Sequence, residues 1–277
     1  MTRVAFQGEH GAFSEIAAKR FFGDKTLLFP SATFNEVFLK IKKGTTDFGI
    51  VPVENSLYGS IFETFDLLLK YKFYIHAELR LKINHHLLAK RNLNVNKIEK
   101  VISHPQALGQ CSNFLSCIKN VEITPSYDTA GSAKYLLENP DAKWAIVASE
   151  QAAKVYNLKV LKKNIQNNQE NFTRFLVISK KKNPTKISLP KSSICFELKS
   201  MPGALFKALS VFALREIDLL RIESRPIPQK PFQYRFYCDF KGNLKDELIK
   251  NAIKHLNEIS LSIYKFGSYE EGKTFLK

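Results

Sequence analysis

The sequence predicts an α/β protein: a two-lobed region of helices packed on largely parallel sheets, then a smaller ferredoxin-like βαββαβ module. Three observations carry this expectation. Short apolar runs alternate with amphipathic helical patterns from residue 1 to about 178. The stretch "SKKKNPTKISLPKS" (179–192), charged, aperiodic and holding Pro184 and Pro190, interrupts them. Beyond it the order of elements changes. The expected division is a first domain at 1–180, a linker at 181–191 and a second domain at 192–277. A chain of 277 residues is long enough for two cores.

In the first domain "VAF" (4–6) leads through Gly8 and Gly11 to the helical "AFSEIAAKRFF". "FGIVPVE" (48–54) leads through Asn55 and Ser56 to "GSIFETFDLLLK", and "KVIS" (100–103) through His104 and Pro105 to "QALGQCSNFLSCI". "VEIT" (121–124) leads through Asp128 and Thr129 to "AGSAKYLLEN", and "WAIVAS" (144–149) to "EQAAKVYNL". In parallel sheets ligands sit beyond the carboxyl ends of the strands, so four of these helix starts are expected to face one cleft. In the second domain "SSICFEL" reads as a strand, "GALFKALSVFALREI" as a helix, and "DLLRIESR" and "FQYRFYCDF" as strands. "LKDELIKNAIKHLNEI" carries apolar residues at helical spacing (Leu244, Leu248, Ile249, Ala252, Ile253, Leu256, Ile259), and "LSIYKFGSY" closes as a strand.

Composition narrows the class. Apolar residues make up 44% and charged residues 25%, the profile of a soluble globular protein. MTRVAFQG passes straight into an apolar run, so neither a signal peptide nor a membrane association is expected. Cys111, Cys117, Cys195 and Cys238 form no CxxC pair and read as reduced thiols of a cytoplasm. The net charge of +16 comes mostly from scattered lysines, without zinc-finger spacing, RNP-like aromatics or an Arg-rich arm. Nucleic acid is therefore not the expected partner, while a positive field draws in small anions.

Several stretches offer chemistry. "FQGEHGAFS" (6–14) leaves backbone N–H groups open to an anion ahead of Ser14, but it is neither GxGxxG nor a P-loop; a tight turn has the same pattern. "VPVENSLYGS" (51–60) brings the neutral donors Asn55 and Ser56 to a strand end, with helix capping as the simpler use. His104 before Pro105 reads as a cap rather than a base. His85 and His86, adjacent on a strand, point to opposite faces, and no His/Cys/carboxylate set has metal-ligand spacing. In "NQENFTRFLVISKKKNP" (167–183), Thr173 and Arg174 precede the apolar strand Phe175–Ile178. If that strand enters antiparallel to its neighbours, both residues reach the cleft, Arg174 as a bidentate carboxylate clamp and Thr173 as a hydroxyl donor. No Ser-His-Asp arrangement is evident.

From Tyr156 the chain runs Y-x-L-x2-L-x5-N-x5-T-R-F-L-x-I, ending at Ile178. With "FQGEHGAFSEIAA", "VPVENSLYGSI", "SHPQALGQC" and "YDTAGSA" in order, it resembles the prephenate dehydratases over nearly the whole chain. The second domain resembles an ACT domain, "GALFKAL" (203–209) and "IESRP" (222–226) being similar to that family's phenylalanine-binding motifs. The resemblance implies loss of hydroxide and CO2 from prephenate to give phenylpyruvate, with no cofactor and no metal. It implies that Thr173 helps the hydroxyl depart, Arg174 holds a carboxylate and Phe175 packs behind them, while Ser14, Asn55, Ser56 and Thr129 bind the remaining oxygens. One lobe would comprise residues 1–80 plus the strand at 173–179, and the other would lie between. L-phenylalanine would act as feedback effector, wrapped by Gly203, Ala204 and Leu205 with Glu223, Ser224, Arg225 and Pro226 beside it. Because the family binds it between paired ACT domains, a homodimer or homotetramer is implied. An arogenate dehydratase shares most of these motifs, and a non-catalytic amino-acid sensor shares the architecture; turnover of the two substrates discriminates all three.

Overall fold

The computed structural model of the chain describes residues 1–183 and 186–276, so Pro184 of the expected linker lies outside the described residues. The first apolar run forms β1 (Arg3–Gln7), whose Val4, Ala5 and Phe6 are fully buried. A strand covered on both faces reads as a continuous apolar run, which is why no alternation marks it. There follow α1 (Phe13–Phe22), β2 (Leu27–Ser31), α2 (Phe34–Lys43), β3 (Phe48–Asn55), β4 (Gly59–Ser60), α3 (Phe62–Tyr71) and β5 (Tyr74–Lys82). Next come β6 (His86–Ala89), β7 (Lys100–Ser103), α4 (Pro105–Gln110), α5 (Ser112–Leu115), β8 (Glu122–Pro125) and α6 (Gly131–Glu138). β9 (Trp144–Ala148), α7 (Glu150–Val155), β10 (Lys159–Lys162) and β11 (Phe172–Ser179) complete this part. The remainder is β12 (Pro190–Leu198), α8 (Ala204–Ala213), β13 (Leu219–Ile227), β14 (Lys230–Lys241), α9 (Glu247–Ile259), β15 (Ser260–Glu270) and β16 (Lys273–Phe275).

The chain divides into two compact units. Met1–Ile61 and Arg80–Phe175, with a short stretch from Thr274, form the first; Phe62–Leu79 and Leu176–Lys273 form the second. These units cut across the boundaries read from the sequence, because periodicity marks a helix but not the core it joins. Helix α3 belongs with the C-terminal part: Phe65 packs on the Tyr237 ring at 5.2 Å, and Asp66 accepts hydrogen bonds from the Tyr237 hydroxyl and Arg225, both at 3.0 Å. The expected linker also ends early. Pro190 and Lys191 lie in β12, and Lys191 is buried with its ammonium 2.8 Å from Glu78.

In the first unit β1 pairs in parallel with β2 and β3, the core of a sheet ordered β16-β5-β11-β3-β1-β2 with β4 beside β3. The division between units falls inside β5 and β11. The Ser56 N–H donates to the Phe172 carbonyl at 2.8 Å, so β11 starts where β3 ends. A second sheet runs β10-β6-β9-β7-β8, parallel across β7, β8 and β9 and antiparallel at β6 and β10. In each sheet the parallel strands lie together at one end, β3-β1-β2 in the first and β9-β7-β8 in the second, and the first sheet includes β16 besides strands of the expected lobe at 1–80 plus 173–179. Gly11, at φ +91°, holds the loop before α1 so close to α7 that an added Cβ would lie 2.6 Å from the Ala152 Cα.

The second unit carries β12-α8-β13-β14-α9-β15, the βαββαβ order, on a sheet ordered β13-β14-β12-β15. Ile249, Ala252, Ile253 and Leu256 of α9 pack with Val211, Phe212 and Phe240. Leu248, expected on the same stripe, is instead exposed, and Leu244 precedes the helix. No helix among the described residues is long and apolar enough to cross a membrane.

Candidate active site

A cavity of about 250 Å3 opens in the first unit at the carboxyl ends of its strands. Gln7 ends β1, Asn55 ends β3, and His104 and Tyr127 follow β7 and β8; all four line it, as do Ser14, Asp128 and Thr129. The four helix starts singled out in the sequence therefore meet here, as parallel strands require. Phe34, Pro52, Ile61, Ile83 and Phe175 form an apolar wall.

Thr173 and Phe175 line the cavity from β11, and the pleat places Arg174 on the opposite face. This corrects the expectation for Arg174. It is buried and absent from the cavity's lining, with its Nη1 3.5 Å from Glu54 Oε2. Ser56, expected among the substrate contacts, is also absent from the lining. Its hydroxyl accepts from the Phe172 N–H at 2.9 Å and donates to the Glu170 carbonyl at 3.1 Å, tying β3 to the start of β11.

Thr173 sits at the end of a chain of hydrogen bonds. Asn55 Nδ2 donates to Thr173 Oγ1 at 3.0 Å and to Asn171 Oδ1 at 2.8 Å, and lies 3.1 Å from the Phe172 carbonyl. On its other side Asn55 Oδ1 accepts from the N–H groups of Leu57 and Tyr58 at 3.0 and 3.2 Å. Asn171 Nδ2 donates to Gln110 Oε1 at 2.8 Å, and His85 Nε2 lies 2.7 Å from the same oxygen. That oxygen can only accept, so His85 carries its hydrogen on Nε2. Burial pushes the His85 imidazole down to about 4, so it is neutral at physiological pH. With an N–H already directed at Oγ1, the Thr173 hydroxyl has its own hydrogen available for the cavity.

His104 is a cap, as expected: its Nδ1 accepts from the Gln106 N–H at 3.2 Å, and burial lowers its pKa. His85 and His86 do face opposite ways. His85 lines this cavity, while His86 Nδ1 accepts from the Asn164 N–H at 3.1 Å beside another pocket. Asp128 is the carboxylate of the lining, and among the described residues no Lys or Arg is part of it. Burial raises its pKa, partly offset by the N–H groups of Gly131 and Glu9 at 2.9 and 3.3 Å. Sequence reasoning did not single out Gln110 or Asn171. Lone amides carry no spacing signal, although Asn171 shares the face of Thr173 by strand periodicity.

In the second unit a cavity of about 310 Å3 is lined by Gly203, Ala204 and Leu205 with Met201, Phe232, Tyr234 and Phe236. Glu223, Ser224, Arg225 and Pro226 are absent from its lining. Arg225 instead stacks over the Phe62 ring at 4.5 Å and pairs with Asp66. Within one chain the two expected effector segments do not line one cavity, although Ser224 and Pro226 pair with Phe236 and Tyr234 of its lining.

A family model described as prephenate dehydratase matches residues 4–183. The arogenate dehydratase/prephenate dehydratase 2, chloroplastic, of Arabidopsis thaliana is 41% identical, covering 99% of this chain and 74% of that protein. The bifunctional chorismate mutase/prephenate dehydratase of Aquifex aeolicus is 38% identical, covering 96% of this chain and 73% of that protein. Among solved structures, prephenate dehydratase in complex with L-Phe from Arthrobacter aurescens has a TM-score of 0.89 at 28% identity, covering 98% of this chain and 90% of that one.

Proposed function

Because the chain belongs to the prephenate dehydratase family, and so is a carbon–oxygen lyase, we propose that its cavity converts prephenate to phenylpyruvate. The C–CO2 bond breaks, its electron pair completes the aromatic ring, and the ring C–O bond breaks as hydroxide leaves. Thr173 protonates that hydroxide to water, and solvent restores the Thr173 proton, so one proton is consumed overall. An alkyl hydroxyl is a weak acid. The observation that carries the reading is the Asn55 N–H, 3.0 Å from Thr173 Oγ1, aimed at the atom that becomes negative as the proton departs. The apolar wall around Phe175 and Ile61 favours loss of charge from the departing carboxylate. Ser14 and Thr129 supply neutral donors for the remaining oxygens, while Arg174 pairs with Glu54.

The test is turnover of prephenate and of arogenate by wild type and Thr173→Ala. We expect kcat to fall about 10²–10⁴-fold with substrate binding retained, the usual contribution of a positioned acid. Undiminished turnover in the variant removes Thr173 from the mechanism.

One observation favours arogenate as a second substrate. It bears an ammonium where prephenate has a keto group, and Asp128 offers that ammonium a carboxylate whose raised pKa reflects a buried site. Asp128→Asn then reduces arogenate turnover more than prephenate turnover; equal effects discard this reading.

We also read the cavity at Gly203–Leu205 as an L-phenylalanine site completed by Glu223–Pro226 of a second copy, which makes the enzyme a feedback-inhibited homodimer or homotetramer. Support comes from the absence of Glu223–Pro226 from the cavity's lining within one chain and from the L-Phe bound to the Arthrobacter relative. Titration calorimetry with L-phenylalanine, alongside light scattering, tests it. Absence of heat, or a monomer throughout, rejects it. The free thiols, three of them buried, suit a cytoplasm.

A further inference from the structure

An amide side chain can turn end for end with little change of shape, and at Asn55 that turn would undo the proton donor. With Oδ1 facing Thr173, the hydroxyl would donate to Asn55 and its proton would be held inside the protein. The structure shows what opposes the turn. The Leu57 and Tyr58 N–H groups hold Oδ1 on the far side. On the near side a turned amide would set oxygen against Asn171 Oδ1, at a site now spanned by a 2.8 Å hydrogen bond. Asn171 is fully buried, so no solvent takes up the mismatch.

We propose that Asn171 is a positioning residue: by accepting from Asn55 it holds that amide's N–H toward Thr173 and leaves the Thr173 hydroxyl to donate into the cavity. This rests on Thr173 as the proton donor of the proposed dehydration. The orientation of Asn171 is set in turn. Its own Nδ2 donates to Gln110 Oε1 at 2.8 Å, and His85 Nε2 donates to that oxygen at 2.7 Å. Donation therefore runs from Asn55 to Asn171 to Gln110: Asn55 and Asn171 each present nitrogen to the next amide's oxygen, and Gln110 Oε1 accepts from both Asn171 and His85. Asn171 and Thr173, two apart on an extended backbone, share a face, which brings both side chains within reach of one amide nitrogen.

The test compares Asn171→Leu, of similar size but unable to accept, with Asn171→Asp, which keeps an acceptor facing Asn55. For whichever substrate wild type turns over, Asn171→Leu is expected to lower kcat about 10–100-fold, part of a positioned acid's usual contribution, with KM changed less than about threefold. Asn171→Asp is expected to retain most of kcat. In a Thr173→Ala background Asn171→Leu is expected to add no further loss, because the two act as one unit. Losses that add in that background, or equal losses in the Leu and Asp variants, overturn the proposal. If Asn171→Leu does not fold, the Asp variant carries the test: a kcat loss as large as that of Thr173→Ala overturns it. If wild type turns over neither prephenate nor arogenate, the proposed reaction fails on its own account. Positioning is then decided by hydrogen exchange of the Asn55 side-chain amide, measured by NMR. Faster exchange in either Asn171 variant that folds supports it, and unchanged protection in both overturns it.

Discussion

Asn55→Asp replaces one amide nitrogen with oxygen and leaves the shape of the side chain nearly unchanged. In the native enzyme that nitrogen lies 3.0 Å from Thr173 Oγ1, 2.8 Å from Asn171 Oδ1 and 3.1 Å from the Phe172 carbonyl. A carboxylate oxygen in its place faces three acceptors, and only Thr173 has a hydrogen that can rotate to meet it. The Thr173 hydroxyl becomes a donor to the new carboxylate and is lost as an acid, so kcat should fall by about 10²–10⁴. Two oxygens stay opposed to the carboxylate, and a buried polar group left unsatisfied costs about 1–3 kcal/mol, so stability should fall by about 2–6 kcal/mol. The new anion also repels an anionic substrate. At about 5 Å and an effective dielectric near 20 the repulsion is about 3 kcal/mol, which raises KM by roughly a hundredfold. The assay is steady-state appearance of phenylpyruvate, paired with urea unfolding. Asn55→Ala is the control: it removes the donor without diverting the Thr173 proton, so its kcat should exceed that of Asn55→Asp. An Asp variant within about threefold of wild-type kcat, or better than the Ala variant, refutes the reasoning behind the donor assignment.

Three further outcomes follow from the structure. Gly11→Ala combines a left-handed φ of +91° with a Cβ 2.6 Å from the Ala152 Cα. It should lower stability by about 2–4 kcal/mol in urea unfolding, an ordinary exposed glycine substitution being far milder. Lys191→Met removes the cation 2.8 Å from buried Glu78 and should cost about 3–5 kcal/mol by the same measurement, even though the side chain lies in a stretch that reads as linker. His85 has a folded pKa of about 4 against an ordinary 6.5, so below pH 6.5 the unfolded chain binds a proton that the folded chain does not. Its contribution is therefore present above pH 6.5 and lost as pH falls toward 4, by about 3 kcal/mol in all. His85→Gln should remove that slope, which urea midpoints between pH 4 and 7 will show.

Much of the architecture was readable because it is written locally. Apolar runs ending in small polar residues mark strands feeding helices, and strands β1, β3, β7 and β9 fall where those runs stand. The βαββαβ order of the C-terminal part was readable for the same reason. Ser14, Asn55 and Thr129 stand at or beyond the carboxyl ends of such strands, which parallel pairing carries to one place, and Thr173 joins them from the start of β11.

What local pattern does not encode is which core an element joins and which way a side chain turns. Helix α3 is amphipathic in either setting; its placement with the second unit depends on Tyr237 and Arg225, far along the chain. Arg174 has the chemistry of a carboxylate clamp, but the pleat that aims Thr173 and Phe175 into the cavity turns it away. Asn171 and Gln110 have no periodicity or spacing to announce them, and they acquire direction only when strand, loop and helix close around one buried amide. Residue type and order were enough to single out Thr173, which lines the cavity. The sense of the hydrogen bond it receives came from atoms distant in sequence meeting around the fully buried Asn171.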